Sequence, residues 1–166
     1  MNRTLLGATF AAALISGCAS YDGRTLVPGQ SSAAEVEATM GRPADKLERA
    51  GESIWYYPRG PVGFHAYAVR LGPDGVLRSI EQRLTVGNVR LLLPGKTTRG
   101  EVRELLGPPF IESRMPRQQR EVWEYQLLEY EFKWKLWVQF SDDGIVREVL
   151  QMRHPDMEPP GKINLD

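Results

Sequence analysis

The chain has 166 residues, 42% hydrophobic and 25% charged, which is the composition of one globular domain or two very small ones and not of a disordered chain. Lysine plus arginine and aspartate plus glutamate both total 21, so the formal net charge is zero. The basic surplus expected of a nucleic-acid binder is therefore missing.

The first twenty residues, MNRTLLGATFAAALISGCAS, place a charge at Arg3, an apolar run from Leu5 to Ile15 and small residues at Ser16 and Gly17. This order predicts a secretory signal over residues 1–17, too short to span a bilayer. Cys18 is the only cysteine, so no intramolecular disulfide can form. It stands at the expected cleavage point, in Leu14-Ile15-Ser16-Gly17-Cys18, which resembles the lipobox of bacterial lipoproteins. The resemblance implies diacylglycerol on the Cys18 sulfur, cleavage before Cys18, acylation of its new amino group and attachment to a membrane through those acyl chains. Ala19 and Ser20 follow in place of the aspartate that retains such proteins at the inner membrane, so the expected location is the outer membrane. Residues 18–25 then read as a lipidated linker.

Two copies of one unit follow, over residues 26–85 and 86–153. LVPGQSSAAEVEATMGRP (Leu26 to Pro43) aligns without a gap on LLPGKTTRGEVRELLGPP (Leu92 to Pro109). Trp55-Tyr56-Tyr57 then matches Trp123-Glu124-Tyr125, and Asp74-Gly75-Val76-Leu77-Arg78 matches Asp143-Gly144-Ile145-Val146-Arg147. Three blocks in the same order mark an internal duplication. The Pro94-Gly95-Lys96-Thr97-Thr98 stretch looks like the end of a phosphate-binding loop, but Lys96 is Gln30 in the first copy. Arg90 also stands where such a loop needs its first glycine. What recurs is Ser32-x-x-Glu35 and Thr98-x-x-Glu101, a capping box that starts a helix, with Gly41 or Gly107 ending it and Pro43 or Pro109 just beyond. The expectation is therefore a helix start, with no nucleotide and no cofactor.

After a polar connection, each helix is followed by SIWYY or EVWEYQLL. A second strand comes next, clearest in FKWKLWVQF, where Phe132, Trp134, Leu136, Val138 and Phe140 share one face and Lys133, Lys135, Trp137 and Gln139 the other. Turns at Pro73-Asp74-Gly75 and Asp142-Asp143-Gly144 lead into VLRSIEQRL and IVREVLQM. Val86 to Leu92 predicts a short extra helix at the start of the second copy, and the Pro-rich residues 154–166 read as a polar tail that frays. The expected fold class is α+β: two tandem units, each with one or two short helices on a three-stranded antiparallel sheet. A unit of about 60 residues has a marginal core by itself. The copies should therefore pack together, either as two sheets meeting face to edge or as one curved sheet with both helices on one side.

These residues carry a family resemblance. A lipobox, then Gly-[Gln/Lys]-[Ser/Thr] with Glu-Val and Gly-x-Pro, then Trp-x-Tyr, then an Asp-Gly turn between strands, resembles the SmpA/OmlA family of BamE-like outer-membrane lipoproteins. Similar units occur in tandem in β-lactamase-inhibitor-type proteins. The resemblance implies helices against a three-stranded sheet, a periplasmic face, and binding to envelope proteins, the β-barrel assembly machinery among them.

No catalytic constellation is legible. His65 and His154 are the only histidines and no second cysteine exists to build a metal site. The pair Asp142-Asp143 is explained by a turn, and no Gly-x-Ser-x-Gly motif occurs. The expected role is non-enzymatic: protein–protein interaction in outer-membrane assembly or envelope integrity, with an inhibitor-like binder of a periplasmic enzyme as the alternative. An inhibitor needs a protruding loop with a plugging side chain, and Pro58 to Gly63 is the segment that suggests one. The candidate interaction residues are Tyr130, Lys133, Lys135 and Trp137, since aromatics flanked by charge are common in binding hot spots. Their face either binds a partner or packs on the other copy or on a helix. Trp55 and Trp123 recur and so belong to the repeated core.

Overall fold

The computed structural model describes residues 22–59 and 63–153. The signal segment, Cys18 with its lipidation, the middle of the Pro58–Gly63 loop, His154 and the rest of the tail lie outside the described residues. The helices are α1 (Ala33–Met40), α2 (Val86–Val89) and α3 (Arg99–Leu106). The strands are β1 (Asp45–Arg49), β2 (Glu52–Arg59), β3 (His65–Leu71), β4 (Leu77–Gln82), β5 (Ile111–Met115), β6 (Arg120–Glu129), β7 (Phe132–Phe140) and β8 (Val146–Arg153). They form two separate antiparallel meanders, β1-β2-β3-β4 and β5-β6-β7-β8.

The α+β expectation of helices on three-stranded sheets is thereby corrected. Each sheet has four strands, and helix is a minor part of a mostly β chain. The unforeseen strand in each unit is the polar connection after the helix, DKLER in β1 and IESRM in β5. Both are edge strands, and β5 is exposed along its whole length. An edge strand with little core contact needs no apolar alternation, and charge on it discourages pairing with other chains.

Both capping boxes are formed: the Ser32 and Thr98 hydroxyls accept from Glu35 and Glu101 amides, and each carboxylate accepts from the cap residue's own amide at 2.7 Å. The loop before each helix is stitched to the last hairpin of its own unit. In the second copy Gly95 N–H donates to the Val146 carbonyl, Lys96 and Thr97 N–H to Leu93, and Arg99 N–H to Gly144. With Thr98 N–H on Glu101, every amide from Gly95 to Arg99 is already engaged, so the loop has none left to cradle a phosphate.

Packing follows from the two faces of each sheet. Val36 and Met40 of α1 are buried on the inner face of the first sheet with Trp55, Tyr57, Val69 and Leu77. Val102 and Leu106 of α3 do the same on the second, with Trp123, Tyr125, Leu136, Val138 and Phe140. The Trp55 indole donates to Ser53, and Trp123 to Glu121, the same two-residue offset in each copy.

Helix α3 also has a second partner. Its opposite side lies across the outer face of the first sheet, where Ile54, Tyr56 and Ala68 are fully buried. Arg103 pairs with Asp45 at 2.7 Å, Glu104 pairs with Arg49 and lies 3.8 Å from Arg70, and Gly107 is set against the Tyr56 ring. The layer order is therefore α1, first sheet, α3, second sheet. This is neither of the two arrangements expected from the sequence. It lets each small unit share a boundary with its neighbour, which a core of that size requires.

Candidate interaction surface

Among the described residues, no helix or strand lies over the outer face of the second sheet. Strand register shows which residues stand there. The row Asp45–Tyr56–Ala68–Glu81 crosses the outer face of the first sheet, and the row Ile111–Glu124–Trp137–Leu150 crosses the second at the same place. The next row, Leu47–Ile54–Arg70–Ser79, becomes Ser113–Val122–Gln139–Glu148. On the other side of Trp137, Gln126, Lys135 and Met152 form a third row.

Three of the four sequence candidates meet on this face. Trp137 is half-buried, and its indole N–H donates to Glu124 Oε2 at 2.8 Å. Lys135 Nζ lies 3.2 Å from Glu124 Oε1. Lys133 stands further along β7, with its ammonium 5.6 Å from the Phe64 ring centre. Glu124 therefore holds both the tryptophan and one lysine, which orders the middle of the face. Trp137 stands on the face of the second sheet turned away from α3, and the first unit reaches that face at Phe64, beside Lys133.

Tyr130 is elsewhere, in the two-residue turn joining β6 and β7. It is 90% exposed and has φ +54°, a left-handed backbone that costs a non-glycine residue about 1–2 kcal/mol. The loop named for a plugging side chain is tied down at its flanks: Arg59 donates to the Met40 carbonyl at the end of α1, and Gly63 lies against Phe110.

Sequence reasoning missed Ile111, Leu150 and Met152, all exposed around Trp137. The signal was present in the duplication. Aligning the copies at the Asp-Gly turn sets Leu150 against Glu81 and Trp137 against Ala68, a charge and a small residue replaced by large apolar ones. Ile111 needed the edge strand to be recognised first.

No protein-family model matches the chain, and no curated protein matches its sequence. Two solved structures are similar to it. One is a DUF4309 family protein, YjgB, from Bacillus subtilis: 18% identity over 78% of this chain and 82% of that one, TM-score 0.32. The other is a protein from Streptococcus mutans provisionally named a beta-lactamase inhibitor protein: 14% identity over 74% of this chain and 82% of that one, TM-score 0.29. At those scores the fold stands on this chain's own register and packing.

A second concavity lies between the units. Arg49, Arg70, Arg83, Lys96, Glu101 and Glu104 line a cleft of about 430 Å3. Its arginines are paired with Glu52, Glu81 and Glu104, so most of the positive charge is balanced from within. Among the described residues no group of three His, Cys, Asp or Glu side chains is placed to hold a metal ion. None of the described helices is long and apolar enough to cross a membrane.

Proposed function

We propose that this chain is a non-enzymatic lipoprotein, anchored through Cys18 to the outer membrane and facing the periplasm. It acts by protein–protein interaction in outer-membrane assembly or envelope integrity. The lipobox and the resemblance to SmpA/OmlA lipoproteins support the location. The observation that carries the mode of action is the difference between two equivalent faces. On the first sheet the face is floored by Ala68 and covered by α3; on the second it carries Trp137 ringed by exposed Ile111, Leu150 and Met152. Large apolar side chains gathered around an ordered aromatic are what a binding surface uses, since a few such anchors dominate affinity.

Trp137→Ala tests this reading. Capture of partner proteins by crosslinking in intact cells should fall by a factor of about 30 or more, the equivalent of about 2 kcal/mol. The melting temperature of the lipid-free domain should change by only a few degrees, because Ala68 already occupies the equivalent site in the first copy. Unchanged capture would refute the surface.

The inhibitor-like alternative has one observation in its favour. Tyr130 projects from a hairpin tip between Glu129 and Glu131 in a backbone conformation that glycine would hold without strain. Tyr130→Gly should leave the fold as stable or more so. If the tip plugs an enzyme cleft, the same change should abolish inhibition of that enzyme.

A further inference from the structure

The chain contains an example of what covers an outer face of this kind: a two-turn helix. On the first sheet α3 takes that place, and it is held there by charge. Arg103 meets Asp45, and Glu104 meets Arg49 and Arg70. Register sets Ile111 where Asp45 stands and Gln139 where Arg70 stands, and Met115 occupies the end of β5 as Arg49 does the end of β1. Every charge that grips α3 is thus replaced by an uncharged side chain, and of the charges that the second face does carry in these rows, Glu124 and Lys135 pair with each other and Glu148 stands on the edge strand β8. The floor changes as well. Ala68 and Tyr56 let the Gly107 end of α3 approach closely, whereas Trp137 is bulkier than Ala68 and is fixed by Glu124.

From this juxtaposition we infer that the outer face of the second sheet receives a helix of a partner protein, amphipathic, with an uncharged apolar stripe laid across Ile111, Trp137 and Leu150. The inference rests on the interaction reading above and names the class of partner. Such a helix rides higher than α3 does and meets the sheet through large side chains, because Trp137 bars a glycine-close approach. Replacing ion pairs with apolar contact also selects the partner, since a helix bearing arginine and glutamate at the α3 positions would bury them unpaired. That argues against α1 of a second copy. It carries Glu37 where α3 has Arg103, and Glu37 would face Ile111 beside the like-charged Glu124, whose counter-ion Lys135 is already engaged. Helix-in-groove recognition reads apolar anchors at intervals of three and four residues.

The test uses the full lipidated chain in intact cells. A benzophenone amino acid is placed singly at Ile111, Leu150 and Met152, and at Ala38 on the exposed side of α1 as the control. Melting of each purified variant confirms that it folds. Irradiated adducts are mapped by mass spectrometry to the residue captured. The expected result is one partner segment captured from all three sites, at residues spaced three, four or seven apart on a stripe free of Lys, Arg, Asp and Glu. Ala38 should give no such adduct, and Leu150→Arg should lower the yield from Met152 at least tenfold. Capture at two-residue spacing, capture of scattered loops, or capture of a second copy of this chain would overturn the helix while leaving an interaction surface. Adducts to lipid alone, or to nothing at all three sites, would overturn both.

Discussion

Gly41 and Gly107 provide a matched pair for testing how the two units stack. Both end a helix with φ 82° and ψ −170°, a region that only glycine occupies readily. Alanine at either site should therefore carry the same backbone strain, about 2 kcal/mol. Their surroundings differ. A Cβ on Gly41 meets nothing within 4 Å, whereas one on Gly107 lies 3.3 Å from Tyr56 Cδ1 and 3.6 Å from Ala66 Cβ, both in the first unit. Crowding of that kind adds about 1 kcal/mol where the neighbours are held in place, and Tyr56 is fully buried. Gly107→Ala should thus destabilise the lipid-free domain by about 1 kcal/mol more than Gly41→Ala, equivalent to a further drop of roughly 2–4 °C in Tm. Urea denaturation at 25 °C gives both values, and a double-mutant cycle with Tyr56→Leu should recover a coupling of about 0.5 kcal/mol or more. Equal losses at the two glycines, with no coupling to Tyr56, would refute the placement of α3 against the first sheet.

The two caps should behave alike. Ser32→Ala and Thr98→Ala should each cost about 1 kcal/mol in chemical denaturation, while Lys96→Ala should be nearly silent because its side chain takes no part in the cap. The same boxes predict an acid dependence. The amides and hydroxyls of Ser32 and Thr98 hold the Glu35 and Glu101 carboxyls below the ordinary glutamate value of 4.5. Their contribution is full above that value and is lost as pH falls through the lowered folded value, so Ser32→Ala and Thr98→Ala should flatten the loss of stability below about pH 4.5. Cys18→Ala should leave the chain unprocessed or soluble in membrane fractionation. Mature protein with an unmodified Cys18 would remove the lipid anchor from the account.

What could be read from the sequence was local. The capping boxes, the Asp-Gly turns and the alternation in β7 depend on residues a few positions apart, and each was legible. Trp55 and Trp123 recur in both copies, which marks them as core residues, and both are buried. β1 and β5 escaped because charged edge strands carry no period that a core would impose. The position of α3 escaped for another reason. Its sequence shows one apolar stripe, Val102 and Leu106, facing its own sheet, while its grip on the first sheet runs through Arg103, Glu104 and Gly107. Charged residues on a helix read as a solvated face unless their partners are known, and those partners, Asp45, Arg49 and Arg70, lie on strands far away in sequence. The candidate surface was half-visible for the same reason: Trp137 stood out on its own strand, but Ile111, Leu150 and Met152 join it only through register.

The central claim is that the last face of the stack is covered in the cell by another protein, and oxidative footprinting of methionine tests it most directly. Met152 stands on that face with 45% of its surface exposed, and Met40 is buried in the first core at 1%. In the purified lipid-free domain Met152 should be oxidised rapidly and Met40 slowly. In intact outer membranes the account predicts that Met152 becomes protected about tenfold or more while Met40 is unchanged, and that Trp137→Ala removes the protection. Equal oxidation of Met152 in the purified domain and in the membrane would contradict the claim.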